Sequence, residues 1–202
     1  MSERIASVVL VGVLASAGAA WAQDGQDPGR VEVTYAPAGV GYFTSEGNAP
    51  SFGNYGFGTS ATFNVNRFIG IEGELSAMIS TTSDLQFGDL NPHVKAPNVL
   101  AYTSNVLYFP WPGRSVVPYA AGGVGGLTMF ERPGVGVTQD QTFLIGNVGG
   151  GVKWYAANRR WGLRGDYRFV GSRSKDDAPA FFGRDSRYVH RVYAGIIINT
   201  VR

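Results

Sequence analysis

Arg164, Asp166 and Arg168 stand two residues apart in WGLRGDYRF (residues 161–169), and Glu72 and Glu74 repeat that spacing in IGIEGELS (residues 69–76). Residues two apart on an extended chain share a face, so each run lines up charges on one side. With Glu32, Lys153 and Arg191 the set holds four acids and four bases, which can pair completely. Chemistry of this kind is electrostatic: ion pairs that brace a structure, or a polar path for ions. Catalysis would need more. A nucleophile must sit beside a base, yet the only histidines are His93 and His190, and no spaced Ser/His/acid set surrounds them. His190, near Ser186, reads as a polar residue at an interface. With no cysteine and no acidic repeat, a metal site has no ligand set. The glycine runs GGVGG (122–126) and GNVGGGVK (146–153) do not fit a phosphate loop, because Lys153 follows Val and no Ser or Thr follows it. No enzyme, cofactor or metal is expected.

The elements that must position these charges are strands. Eight alternating segments divided by turn residues read as Val31–Phe43, Asn54–Val65, Phe68–Ser80, Val99–Phe109, Val116–Phe130, Phe143–Tyr155, Trp161–Val170 and Tyr188–Val201. Their connections run long, short, long, short, long, short, long: 44–53, 66–67, 81–98, 110–115, 131–142, 156–160 and 171–187. In an up-and-down order every short turn falls at one end and every long loop at the other. A soluble sandwich has no reason to sort its loops, whereas outer-membrane barrels have this asymmetry.

Alternation also assigns the faces. Ile69, Ile71, Leu75, Ala77 and Ile79 oppose Glu72, Glu74 and Ser76; Trp161, Leu163, Tyr167 and Phe169 oppose Arg164, Asp166 and Arg168. A base on a lipid-facing midplane would cost about 2–4 kcal/mol, and three of them would approach a typical total stability of about 5–15 kcal/mol. The charges therefore belong inside and the aromatics in lipid. Phe63, Tyr108, Trp154 and Trp161 fall beside the short turns, and Tyr55, Phe57, Phe169 and Tyr188 near the long loops, as two interfacial girdles. A water-soluble barrel with an apolar cavity would require the opposite orientation. Pro37 interrupts the first segment and predicts a bulge or a later start to pairing, since a closed sheet has no edge to hide its missing donor.

The first 22 residues read as a cleaved secretory signal: Arg4, an apolar run, then Ala20-Trp21-Ala22 before polar QDGQDPG. Residues 23–202 then form one barrel domain. Removing Glu3 and Arg4 together leaves the net charge at +2, too small and scattered for nucleic acid as a partner.

NRFIGIEGELS (Asn66–Ser76), NVLYFPWPGRSVVPYAAGGVGG (Asn105–Gly126), GGGVKWYAANRRWGLRGDYRF (Gly149–Phe169) and HRVYAGIII (His190–Ile198) resemble the third, fourth-to-fifth, sixth-to-seventh and last strands of the eight-stranded OmpA/OmpX-type outer-membrane β-barrels, which include opacity-like surface proteins. The resemblance implies an all-β, eight-stranded antiparallel up-and-down transmembrane barrel in a Gram-negative outer membrane. It also implies contact with lipid, lipopolysaccharide and the assembly machinery. No peptidoglycan-binding domain is expected to follow. One departure is the end NTVR, where such barrels usually place an aromatic; Tyr193 and the isoleucines would have to serve instead, or the signal is weak. The expected function is a non-enzymatic surface or envelope barrel with a charge-paired, closed lumen. A small or gated porin-like channel through that lumen is the alternative, and a lipid-modifying enzyme is a third. In the last long loop Arg173, Lys175, Arg184 and Arg187 suit phosphate groups, and Phe181-Phe182 is an exposed pair that suits an outside contact. Oligomeric state has no signature.

Overall fold

The computed structural model describes residues 30–44, 49–80, 82–84, 93–173, 178, 182 and 186–201; the leader lies outside them. Among the described residues ten strands form: β1 (Val31–Phe43), β2 (Phe52–Asn64), β3 (Ile69–Ser80), β4 (Thr82–Asp84), β5 (His93–Lys95), β6 (Val99–Tyr108), β7 (Val116–Met129), β8 (Gln141–Tyr155), β9 (Trp161–Ser172) and β10 (Tyr188–Val201). Eight of them close into an antiparallel barrel in sequence order, with β10 pairing back onto β1. The expected segments match to within about two residues at each end. β4 and β5 form a small hairpin inside the second long connection, and a 3-10 turn (Pro133–Val135) lies in the third. Both fall in stretches read as loop, because three-residue elements carry too few residues to display a period.

The faces are those the alternation assigns. On β3, Ile71 and Leu75 are 53% and 46% exposed on the outer wall while Glu72 between them is 0% exposed. Of the residues expected to form a girdle, Tyr108, Trp154 and Trp161 are exposed at the short-turn end, and Trp154 and Trp161 meet edge to face with centroids 5.4 Å apart. At the other end Tyr55, Phe57 and Tyr188 are exposed, and Phe169 stacks on Tyr188 at 5.3 Å. The aromatic, lipid-compatible face is outside, and the soluble-barrel orientation is excluded.

Pro37 sits in a bulge. Pairing of β1 with β2 steps from Ala36↔Gly58 to Gly39↔Gly56, and with β10 from Tyr35↔Ile196 to Ala38↔Ala194. One extra residue on β1 is absorbed against both neighbours. The Tyr55 hydroxyl donates to the Pro37 carbonyl beside it. The bulge flips the parity of β1: Glu32, Thr34 and Ala36 are buried before it, and Gly41 and Phe43 after it.

Glycines permit the tight wall. A Cβ on Gly149 would lie 2.0 Å from the Tyr167 carbonyl oxygen, and one on Gly125 would lie 2.0 Å from that of Tyr102. Neighbouring backbones approach there closely enough to leave no room for a side chain.

Candidate functional site

The lumen is the site, and it is stacked in layers. At its centre Glu72 of β3 meets Arg164 and Arg168 of β9, which lies four strands away and so on the opposite wall. One Arg164 amino group bonds Glu72 Oε2, and the other lies 3.3 Å from Oε1; Arg168 Nη2 reaches Oε1 at 3.3 Å. Asp166 stands between the two arginines on their own strand. It accepts from Arg164 Nη2 at 2.9 Å and from Arg168 Nε at 2.8 Å. The spacing of two residues is what permits this ladder, because three consecutive inward side chains then lie side by side.

Neutral groups complete the set. Ser60 and Thr62 hydroxyls each donate to Glu72 Oε2 at 3.2 Å, and Asn105 Nδ2 donates to Oε1 at 3.2 Å. The Tyr119 hydroxyl donates to Asp166 while accepting from Arg164 Nε at 2.7 Å. Arg168 Nη1 donates to Asn147 Oδ1 (3.1 Å), and Asn147 Nδ2 donates to Asn105 Oδ1 (2.9 Å). A buried charge is tolerable only when paired and hydrogen-bonded in this manner.

Two further pairs flank the centre. Toward the short turns, Lys153 Nζ lies 2.5 Å from Glu32 Oε2, the Tyr155 hydroxyl donates to Oε1 at 2.6 Å, and the ammonium sits over the Phe109 ring at 4.9 Å. Toward the long loops, Arg191 Nη2 holds Glu74 Oε1 at 2.7 Å and Nη1 donates to Ser76 at 2.9 Å. Thus Glu32, Glu72, Glu74, Lys153, Arg164, Asp166, Arg168 and Arg191 all lie buried inside, each in an ion pair.

Apolar layers lie above and below. At the long-loop end Phe43, Phe52, Met78, Leu127, Met129 and Phe143 belong to one buried cluster. At the short-turn end Leu107, Phe109, Val117, Tyr119, Tyr155 and Ile197 form another. Alternation alone missed both layers: their residues share the inward parity of the charges, and an apolar residue on a polar face gives no local signal. Phe43 also lies beyond the parity flip.

Two of the expected loop contacts are corrected. Phe182 is buried, stacked on Phe143 at 4.0 Å, and is not an exposed anchor. Arg187 is fully buried too: Nε donates to the Thr44 carbonyl at 3.0 Å, Nη1 to that of Phe182 at 3.0 Å, and Nη2 to that of Pro50. Its guanidinium lies over the Phe52 ring at 5.0 Å. The apolar layer attracts Phe182, and three carbonyls from the first and last long connections hold the cation. Arg173 is exposed; Lys175, Phe181 and Arg184 lie outside the described residues. Tyr193 faces Arg164 and Arg191 inside the lumen. His190 is outward on β10, its Nδ1 2.8 Å from the Tyr167 hydroxyl and its ring against Phe169.

Among solved structures, Neisserial surface protein A is 15% identical; the match covers 84% of this chain and 97% of that one, with a TM-score of 0.59. OprG of Pseudomonas aeruginosa is 15% identical, with 89% and 100% covered and a TM-score of 0.49. Ail of Yersinia pestis, solved with the heparin analogue sucrose octasulfate, is 12% identical, with 84% and 99% covered and a TM-score of 0.49. At 15% identity the likeness to Neisserial surface protein A concerns the fold alone. No curated protein matches the sequence at a significant level. The family profile described as outer membrane protein beta-barrel domain matches residues 7–185. With its closed eight-stranded wall and outward apolar face, the chain belongs to that family and is a protein of the outer membrane.

Proposed function

We propose that this barrel is non-enzymatic, that its own side chains close its lumen, and that its long connections serve surface contact or envelope integrity. The carrying observation is the wall-to-wall network of Glu72, Arg164, Asp166 and Arg168 between two apolar layers. An eight-stranded barrel is about as wide as the side chains that fill it, so a satisfied network leaves little for a permeating ion to displace cheaply. Lipopolysaccharide is the partner that exposed Arg173 at the long-loop end suits by charge, and the assembly machinery meets the chain on its way in. Residues 1–22 belong to this reading as a cleaved signal; the protein recovered from outer membranes should begin at Gln23.

A narrow gated channel is the second reading. Its supporting observation is local: Glu74 Oε2, Arg191 Nε and Tyr193 Oη are buried without a hydrogen-bond partner, next to small cavities lined in part by Met78 and Arg191. That end of the network has room to exchange partners. Conductance of the folded protein in a planar bilayer decides between them. A closed lumen gives no channel events; discrete events altered by Glu72→Gln or Arg164→Ala would establish the channel.

A further inference from the structure

The short-turn end carries a charge pattern that the lumen does not use. The connections 65–68, 109–115 and 156–160 hold four arginines (Arg67, Arg114, Arg159 and Arg160) and no acid. The segments 44–51, 81–98, 130–140 and 173–187 at the other end hold eight acids and six bases. Arg30, just before β1, adds a fifth base at the short-turn end, with Asp24 and Asp27 preceding it in the sequence. In the barrel order β1-β2-β3-β6-β7-β8-β9-β10 these positions fall at β1, β2–β3, β6–β7 and β8–β9, so the arginines ring the rim.

Depth assigns their partner. Trp154, Trp161 and Tyr108 are exposed on the outer wall at this end, at the level where interfacial aromatics meet headgroups. The rim lies one step beyond. Arg67 sits 4.7 Å over the exposed Phe68 ring, and Arg30 sits 5.6 Å over Phe63. Both guanidinia are thereby held against rings at the short-turn end of the wall. Arg159 ties the rim together: its Nη2 donates to the Gly113 carbonyl at 2.6 Å, bringing the turn of Arg114 beside that of Arg160. Trp111 in that turn is 56% exposed, an aromatic with no packing role inside.

We propose that this rim binds the phosphate groups of anionic phospholipids in the periplasm-facing leaflet, with the exposed Arg67, Arg114 and Arg160 as the phosphate-contacting residues. Guanidinium is suited to phosphate through paired donors. Basic residues near an anionic leaflet each add attraction that falls off within a Debye length. An anionic periplasmic glycan would meet the same charges but would gain nothing from guanidinia held against these rings.

The tryptophans provide the readout. Of the four in the sequence, Trp111, Trp154 and Trp161 are at this end and Trp21 is in the leader. The full chain carrying Trp21→Phe is folded into phosphatidylcholine vesicles with increasing amounts of acyl-brominated phosphatidylglycerol, or brominated phosphatidylcholine as control, and fluorescence quenching is followed. Unboiled gel mobility verifies folding. The wild-type rim should favour phosphatidylglycerol roughly tenfold at low salt, less at high salt, and R67Q/R114Q/R160Q should bring the preference close to unity. If the triple variant does not fold, each single variant should lower the preference by a factor of about two. Equal quenching by both lipids in the wild type, or an undiminished preference in the folded variants, overturns the proposal. So does binding of a soluble anionic murein fragment by wild type in pure phosphatidylcholine without any preference for phosphatidylglycerol.

Discussion

Replacing Glu72 by glutamine keeps the shape of the side chain and removes the one carboxylate that Arg164 and Arg168 share across the lumen. In the wild type the central network holds two acids and two bases. In Glu72→Gln, Asp166 alone faces both guanidinia, and one cation is left buried without a counter-charge. The Ser60, Thr62 and Asn105 bonds to this position survive in part, because an amide oxygen still accepts. Removing one partner of a buried pair typically costs about 3–5 kcal/mol; the retained bonds place the expected loss near the lower end, about 3 kcal/mol. Urea unfolding in lipid vesicles, followed by gel mobility and tryptophan fluorescence, measures it. The double variant Glu72→Gln/Arg168→Gln restores balance between Asp166 and Arg164 and should recover stability, with a coupling of at least about 2 kcal/mol in the cycle. A loss in Glu72→Gln below about 1 kcal/mol, the range of an exposed pair, would refute the reasoning: the network would then be hydrated and exchangeable.

Leu75→Arg places a base on the outer wall near the middle of β3 and should cost about 2–4 kcal/mol in lipid-vesicle unfolding. Gly149→Ala puts a Cβ against the Tyr167 carbonyl; the β8–β9 wall must spread, at about 1–3 kcal/mol or more, read as a lowered folded fraction on unboiled gels. Arg187→Ala strips the carbonyls of Thr44, Pro50 and Phe182 of a shared donor. Nicking of the first and last long connections by proteinase K should speed up while the barrel body stays resistant, and an unchanged nicking rate would show that Arg187 does not fasten them.

Much of the wall was legible because it rests on a local rule. Period-two alternation in residues 69–76 or 161–169 assigns each side chain to a face without reference to any other strand, and membrane energetics then decides which face is inside. Loop lengths alone sort the two ends, and Pro37 marks a break in regular pairing that the structure resolves as a bulge. The sequence by itself therefore determined the number of strands in the barrel wall, the face of each of the eight charges and the outward placement of most of the aromatics. Only closure decided the rest. Glu72 finds Arg164 92 residues later in the chain because β3 and β9 face each other across the ring, and no local pattern encodes which strands become opposite walls. The bulge reverses parity along β1, so Phe43 points inward where a simple count from Glu32 would send it to lipid. Phe182 and Arg187 lie in a stretch that reads as an exposed, charged loop. They turn inward because the apolar layer beneath and the carbonyls of a loop more than a hundred residues away exist together only once the barrel has closed.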